Sequence, residues 1–186
     1  MVACPDDHQG VHHDDPTCPG RALSPSVLRE RLIRNMDEAL AGPQAQRFVR
    51  PPRYTSTFAS LTEGTAATQM GCSVDVVPPG QQSCPYHLHH AQEEMFVILQ
   101  GQGHLRVAGE LLPVKAGDVI TIPPGPLYPH HLLNTSDAEL KYLSISTQLK
   151  PEICEYPDSA KSMAWAPGVK LVQRAGEALD YWEGEG

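Results

Sequence analysis

The sequence predicts a mainly β fold, a sandwich or barrel preceded by one helix, and three observations carry that prediction. Proline and glycine are abundant, 18 and 15 of 186 residues, which favours short strands and turns over long helices. Five β-prone runs, TAATQMGCSVDVV, EMFVILQ, HLRVAG, DVITI and ELKYLSIST, are broken by PPGQQ, GQG, GE, KAG, PPGP and NTSD. No helical pattern separates these runs, which excludes a βαβ arrangement.

In chain order, residues 1–23 hold almost no apolar periodicity and read as an irregular tail. Cys4, His8, His12, His13 and Cys18 lie there, at spacings that match no zinc pattern. Residues 24–47 read as a helix and linker. Ser24 can cap, Pro25 suits the first turn, and Gly42-Pro43 stop the helix. Leu28, Leu32, Met36 and Leu40 recur every four residues, with Ile33 beside them, as a stripe suited to covering a sheet face. Residues 48–150 read as the β-barrel, with Gly101-Gln102-Gly103 as a hairpin turn. Residues 151–186 read as an irregular extension packing on it, with one short strand possible at 169–173.

Composition excludes several classes. The formal net charge is −8 and the basic residues are scattered, so nucleic acid and anionic membranes are poor partners. No apolar run is long enough to span a bilayer. The polar, acidic N-terminus is unlike a secretory leader, so a cytoplasmic location is expected. Five cysteines without a CxxC read as free thiols rather than a disulfide framework.

The chemistry concentrates in CPYHLHHAQEEMFVILQG, Cys84 to Gly101. Side chains two apart on a strand share a face, so His87 and His89 point together and His90 points away. Glu94, Phe96 and Ile98 share one face of the next strand; Met95, Val97 and Leu99 share the other. Both faces are apolar beyond the carboxylate, which predicts a strand buried on both sides. A carboxylate at its mouth is costly to ionise, and a cation offsets that cost. Neutral imidazoles from His87 and His89 suit the same cation. A fourth ligand is sought in GDVITIPPGPLYPHHLLN, where only one of His130 and His131 can face inward.

These two stretches resemble the paired motifs of the cupin superfamily. The first is carried by Gly80, His87-Leu88-His89, Glu94 and Gly101. The second is carried by Gly117, Pro123-Pro124-Gly125, His130 and Asn134. The gap from Gly80 to His87 is one residue longer than usual. The gap from Gly125 to His130 is two longer, so Tyr128 stands where the histidine often falls; the kept His-x3-Asn spacing favours His130. His90 and His131 are left to the surface or to support of the site. CEYPDS and ALDYWEG also look like those of small single-domain bacterial cupins. The resemblance implies a cupin double-stranded β-helix (jelly-roll barrel). It also implies one divalent metal ion held by His87, His89, Glu94 and His130.

Such a ligand set suits Fe, Mn, Ni, Zn or Co and leaves two positions open for water or substrate. Tyr86, Tyr128, Gln69, Gln82 and Gln148 are expected near the mouth, with Arg106 and Lys141 available to grip an anion. Tyr128, on a loop bracketed by Pro126 and Pro129, is the expected catalytic residue, its phenol a proton donor. The expected function is a metal-dependent enzyme on a small oxygen-rich metabolite, of isomerase, lyase or dioxygenase type. The alternative is a non-catalytic module that binds or senses a small ligand through the metal. The apolar Met95-Val97-Leu99 face leads to the expectation of a homodimer.

Overall fold

The computed structural model describes residues 23–174, 176 and 179–186; the tail over 1–22, with its cysteines and histidines, lies outside them. Two short helices come first, α1 (Pro25–Leu32) and α2 (Met36–Ala41). Ser24 Oγ accepts the Val27 N–H at 3.3 Å, and Gly42 ends α2. The single helix expected over 25–41 is therefore broken. Ile33 is extended, and Asn35 Oδ1 accepts the N–H groups of Asp37 and Glu38 at 2.9 and 3.1 Å, starting a new helix. Cap chemistry wins over the four-residue periodicity, and Leu28, Leu32 and Ile33 are left exposed. Only α2 packs on the sheet, against β2.

Thirteen strands follow: β1 (Gln46–Arg50), β2 (Tyr54–Ser60), β3 (Met70–Val77), β4 (Leu88–His89), β5 (Glu94–Gln100), β6 (Gln102–Val107), β7 (Glu110–Lys115), β8 (Val119–Ile122), β9 (His130–Leu133), β10 (Leu140–Thr147), β11 (Glu152–Tyr156), β12 (Lys161–Ala166) and β13 (Val169–Arg174). They form a six-stranded sheet, β1-β2-β3-β10-β5-β8, a three-stranded sheet, β7-β6-β9, and a four-stranded sheet, β13-β12-β11-β4. All the strand pairs are antiparallel. The core joins inward residues of the first two sheets: Val77, Phe96, Ile98 and Ile122 meet Leu105, Val114 and Leu132. The expected mainly β fold is the one observed, a double-stranded β-helix of the jelly-roll kind.

Three local readings are corrected. Gly101-Gln102-Gly103 is not a hairpin turn, because β5 pairs with β10 and β8 while β6 pairs with β7 and β9. The chain crosses there from one sheet to the other. A Cβ on Gly101 would meet the Glu139 carbonyl oxygen at 2.2 Å, and its φ is +81°, so both approach and conformation require glycine. ELLPVK, passed over in the sequence, is β7; its Pro113 is tolerated because β7 pairs only with β6, at a sheet edge. Residues 152–166 are not irregular but form β11 and β12, whose polar alternation hides their pairing, while the strand expected at 169–173 is observed as β13.

The β5 strand is buried on one face only. Glu94, Phe96 and Ile98 are buried, Met95 is exposed, and Val97 and Leu99 are intermediate. Asn134 closes the strand turn after β9. Its Nδ2 donates to the carbonyls of Val77 and Ala138 at 2.7 Å each, and its Oδ1 accepts the Ser136 N–H at 3.0 Å.

Candidate metal centre

β4, β5 and β9 bring the predicted ligands together. His87 bridges to His130 through paired backbone hydrogen bonds of 3.1 and 2.7 Å, which sets two imidazoles side by side with centroids 4.8 Å apart. Inward alternation on β5 supplies Glu94. One ligand atom from each of His87, His89 and Glu94 lies within 4.8 Å of the others. Three Nε2 atoms approach the same oxygen, Glu94 Oε2: His130 at 2.8 Å, His89 at 3.4 Å and His87 at 3.7 Å.

The far side of each imidazole faces an oxygen. His87 Nδ1 stands 2.8 Å from the Pro85 carbonyl and His130 Nδ1 3.0 Å from the Tyr128 carbonyl. His89 Nδ1 lies 3.5 Å from Glu152 Oε1, beyond a well-formed hydrogen bond. A neutral imidazole carries one N–H. Placed on Nδ1, it leaves Nε2 as a lone pair turned toward the Glu94 carboxylate. Three lone pairs and a carboxylate oxygen converging on one point fit a divalent cation, with the Nδ1 contacts fixing the rings.

Without a cation, a proton on His130 Nε2 takes its place. Burial alone would raise the Glu94 carboxyl, but that proton, donated to Oε2, and the fields of His89 and His87 outweigh it and hold the group below its ordinary value. Burial lowers His89 against the pull of Glu94, favouring the neutral ring. Cys84 lies 3.9 Å from His87 Nδ1, and burial pushes its thiol up to about 12.

Two acidic residues that the sequence reading missed belong to this region. Glu152, 1% exposed, accepts the N–H groups of His90, Ala91 and Gln92 at 2.9, 3.2 and 2.8 Å. It thereby fixes the segment joining β4 to β5. Asp75, on β3, lines a cavity of about 450 Å³ that also takes in His87, Glu94, Phe96, Ser83 and Tyr142. The signal for Asp75 was a charged residue inside an apolar run; nothing local marks Glu152.

The remaining expected residues are placed as follows. Tyr128 is 44% exposed and meets the site through its carbonyl. Arg106 stacks 3.8 Å above the Tyr86 ring and forks onto Asp158 at 2.6 and 2.9 Å. Lys141 pairs with Asp37 at 2.7 Å, so both cations serve local ion pairs. Tyr86 is buried. Gln148 reaches Ser146 and lines, with Gly71, Ser73 and Ser144, a second cavity of about 790 Å³; Gln69 accepts the Gln148 N–H through its carbonyl, and Gln82 bridges Tyr54 and Leu133 by backbone. His90 meets Glu155 at 2.7 Å at the surface. His131 faces away from the centre but is buried, against Tyr86, with Nδ1 3.3 Å from the Cys84 carbonyl.

Comparison with known proteins agrees with this architecture. Residues 73–146 match the Cupin domain family. It is similar to an uncharacterized protein of Methanocaldococcus jannaschii, 38% identical over 71 residues, covering 38% of this chain and 54% of that protein. An oxalate-binding protein of Thermotoga maritima is 35% identical over 69 residues, covering 37% and 54%. The chain thus spans about half the length of these curated relatives. Its fold is also that of a protein of Acidithiobacillus ferrooxidans, provisionally a sugar phosphate isomerase, with TM-score 0.71 and 24% identity over 81% of this chain and 96% of that one. A sugar phosphate isomerase of Silicibacter pomeroyi gives 0.64 and 22%, over 73% and 90%.

Proposed function

We propose that the protein is a metal-dependent enzyme acting on a small oxygen-rich metabolite, through isomerase, lyase or dioxygenase-type chemistry. The observation that carries this reading is the convergence of three imidazole Nε2 atoms on Glu94 Oε2 beside a cavity of about 450 Å³. In this reading His87, His89, Glu94 and His130 hold one divalent ion. Bound there, the ion supplies Lewis-acid activation of a ligand oxygen. The chain's own part is to present four donors, to hold two of the rings through the Pro85 and Tyr128 carbonyls, to fix the 90–92 backbone through Glu152, and to shape the cavity. Tyr128, 44% exposed and facing His130 Nδ1 with its carbonyl, is proposed as a proton donor.

A second reading, a non-catalytic ligand-binding cupin, is favoured by one observation, the likeness to an oxalate-binding protein. Turnover of a metabolite mixture separates the two, because saturable binding without product supports the second. The metal assignment has its own test. Elemental analysis of protein purified without an affinity tag is expected to give about one divalent ion per chain. The double change His87→Ala, His89→Ala is expected to bring it near zero while the far-ultraviolet circular dichroism spectrum is kept. Metal content at the wild-type level in that variant would show that the ligands lie elsewhere.

A further inference from the structure

Asp75 stands where folding gains nothing from it. It sits inside β3, in register with Tyr142 on β10 and Phe58 on β2. Its side chain turns into the cavity that holds His87 and Glu94. The Ser73 hydroxyl donates to Oδ2 at 2.6 Å. Among the described residues, no donor reaches Oδ1 and no Lys, Arg or His makes an ion pair with the carboxyl. Asp75 is half-buried, and a carboxyl partly withdrawn from water with one hydroxyl partner is destabilising. Such an arrangement inside a cleft beside a metal-ligand group is the signature of a working acid or base.

We propose that Asp75 is the proton-transfer residue of this cavity, acting on an α-hydroxycarbonyl compound held against the His87, His89, Glu94 and His130 group. The proposal rests on the enzyme reading above. The carboxylate takes a proton from the carbon beside the carbonyl. The C–H bond breaks, an O–H bond forms on Asp75, and the C–H electron pair passes toward the carbonyl. Return of a proton from Asp75, exchanged with solvent in the interval, to the former carbonyl carbon, as the α-hydroxyl proton passes to the former carbonyl oxygen, completes an isomerisation that needs no oxidant or reductant. Ser73 holds Oδ2, which leaves Oδ1 to face the ligand. Burial, against the Ser73 hydrogen bond, raises the carboxyl to about 6, the range in which one group can both take and return a proton near neutrality. The titratable groups that share the cavity are Tyr142, Cys84, His87 and Glu94. The Tyr142 hydroxyl is spoken for by Ser83 at 2.6 Å, the Cys84 thiol stays protonated, and the other two belong to the metal-ligand group.

The test compares wild type with Asp75→Asn, which keeps the shape and an acceptor for Ser73. Both are loaded with Mn(II) and incubated in D2O with glyceraldehyde, ribose 5-phosphate or glucose 6-phosphate, and deuterium in the recovered compound is read by mass spectrometry. Wild type is expected to incorporate deuterium from at least one probe. Asp75→Asn is expected to lose about 100-fold or more of that rate, with unchanged Mn(II) content and KM within about threefold, and to lose the rising limb of the rate near pH 6. Incorporation by the variant within about threefold of wild type overturns the proposal. If wild type incorporates none, the enzyme reading fails for these compounds, and Asp75 is decided by the 13Cγ resonance of labelled aspartate in Zn(II)-loaded protein. A resonance absent from Asp75→Asn, titrating near 6 and moving on addition of oxalate, supports a ligand-facing carboxyl. One that titrates near 4 and ignores oxalate overturns it.

Discussion

A single carboxyl, Asp75, makes the energetics of the site measurable without any substrate. Burial raises it from 3.8 to about 6, and the Ser73 hydrogen bond offsets part of the rise. The folded chain therefore binds this proton more tightly than the unfolded chain. The residue's contribution to stability is fully present below about pH 4 and is lost as pH rises through about 6. A rise of that size corresponds to about 3 kcal/mol at most, less where cavity water screens the charge. Asp75→Asn is expected to raise the unfolding free energy at pH 7.5 by about 1–3 kcal/mol and by about a third of that at pH 4.5. Urea titrations at the two values check this; an equal effect at both would mean an ordinary carboxylate. The proposed ligand residues were legible in the sequence because a period of two assigns them to a face and the motif spacing assigns them to each other. Asp75 was not, because a charged residue within a strand has the same letter whether it faces solvent or a cavity.

Strands decide the other half of the site. Sequence spacing revealed β3, β5, β6, β8 and β10, whose apolar letters cluster. It did not reveal β11, in which Glu152 and Cys154 are buried and Ile153 is exposed, the reverse of what hydropathy suggests. The inward position of Glu152 depends on its register beside β4, sixty residues away in sequence, with Cys154 opposite His89. Likewise the Gly101 crossover is indistinguishable from a hairpin until the partners of β5 and β6 are known. β11 thus contributes a carboxylate taking three backbone N–H groups, of which that of His90 is shared with the Ile153 carbonyl. Glu152→Gln replaces one of the two acceptor oxygens by a donor facing those N–H groups. We expect a loss of about 2–4 kcal/mol in unfolding free energy. We also expect roughly a 10–100-fold loss of metal affinity, since the segment that joins His89 to Glu94 loses its anchor. Urea unfolding and chelator competition read the two effects separately. Unchanged values in both would reduce Glu152 to a packing residue.

The arrangement of the whole molecule leaves one face of the six-stranded sheet partly bare. At the β2–β3 end the outward residues are covered, Ala59 and Val74 being almost fully buried, and α2 packs on β2 there. The break at Ile33–Asn35 stops the helical segment from running on as one continuous cover. At the β5–β8 end, Met95 is 38% and Val119 is 60% exposed, and Val97, paired with Val119, lies between them. No helix among the described residues is long and apolar enough to cross a membrane. A contiguous apolar strip on the flat side of a sheet is favourable to bury. A second copy related by a two-fold axis would present the same strip to it. We expect a homodimer through β5 and β8, with a mass near twice 20.3 kDa in multi-angle light scattering at micromolar concentration. The paired change Met95→Glu, Val119→Lys, on outward positions that touch neither the core nor the ligand set, is expected to shift that mass toward the monomer while metal content is kept. A wild-type mass of 20.3 kDa would show that the strip stays solvated, and an unshifted dimer in the variant would move the interface to another face.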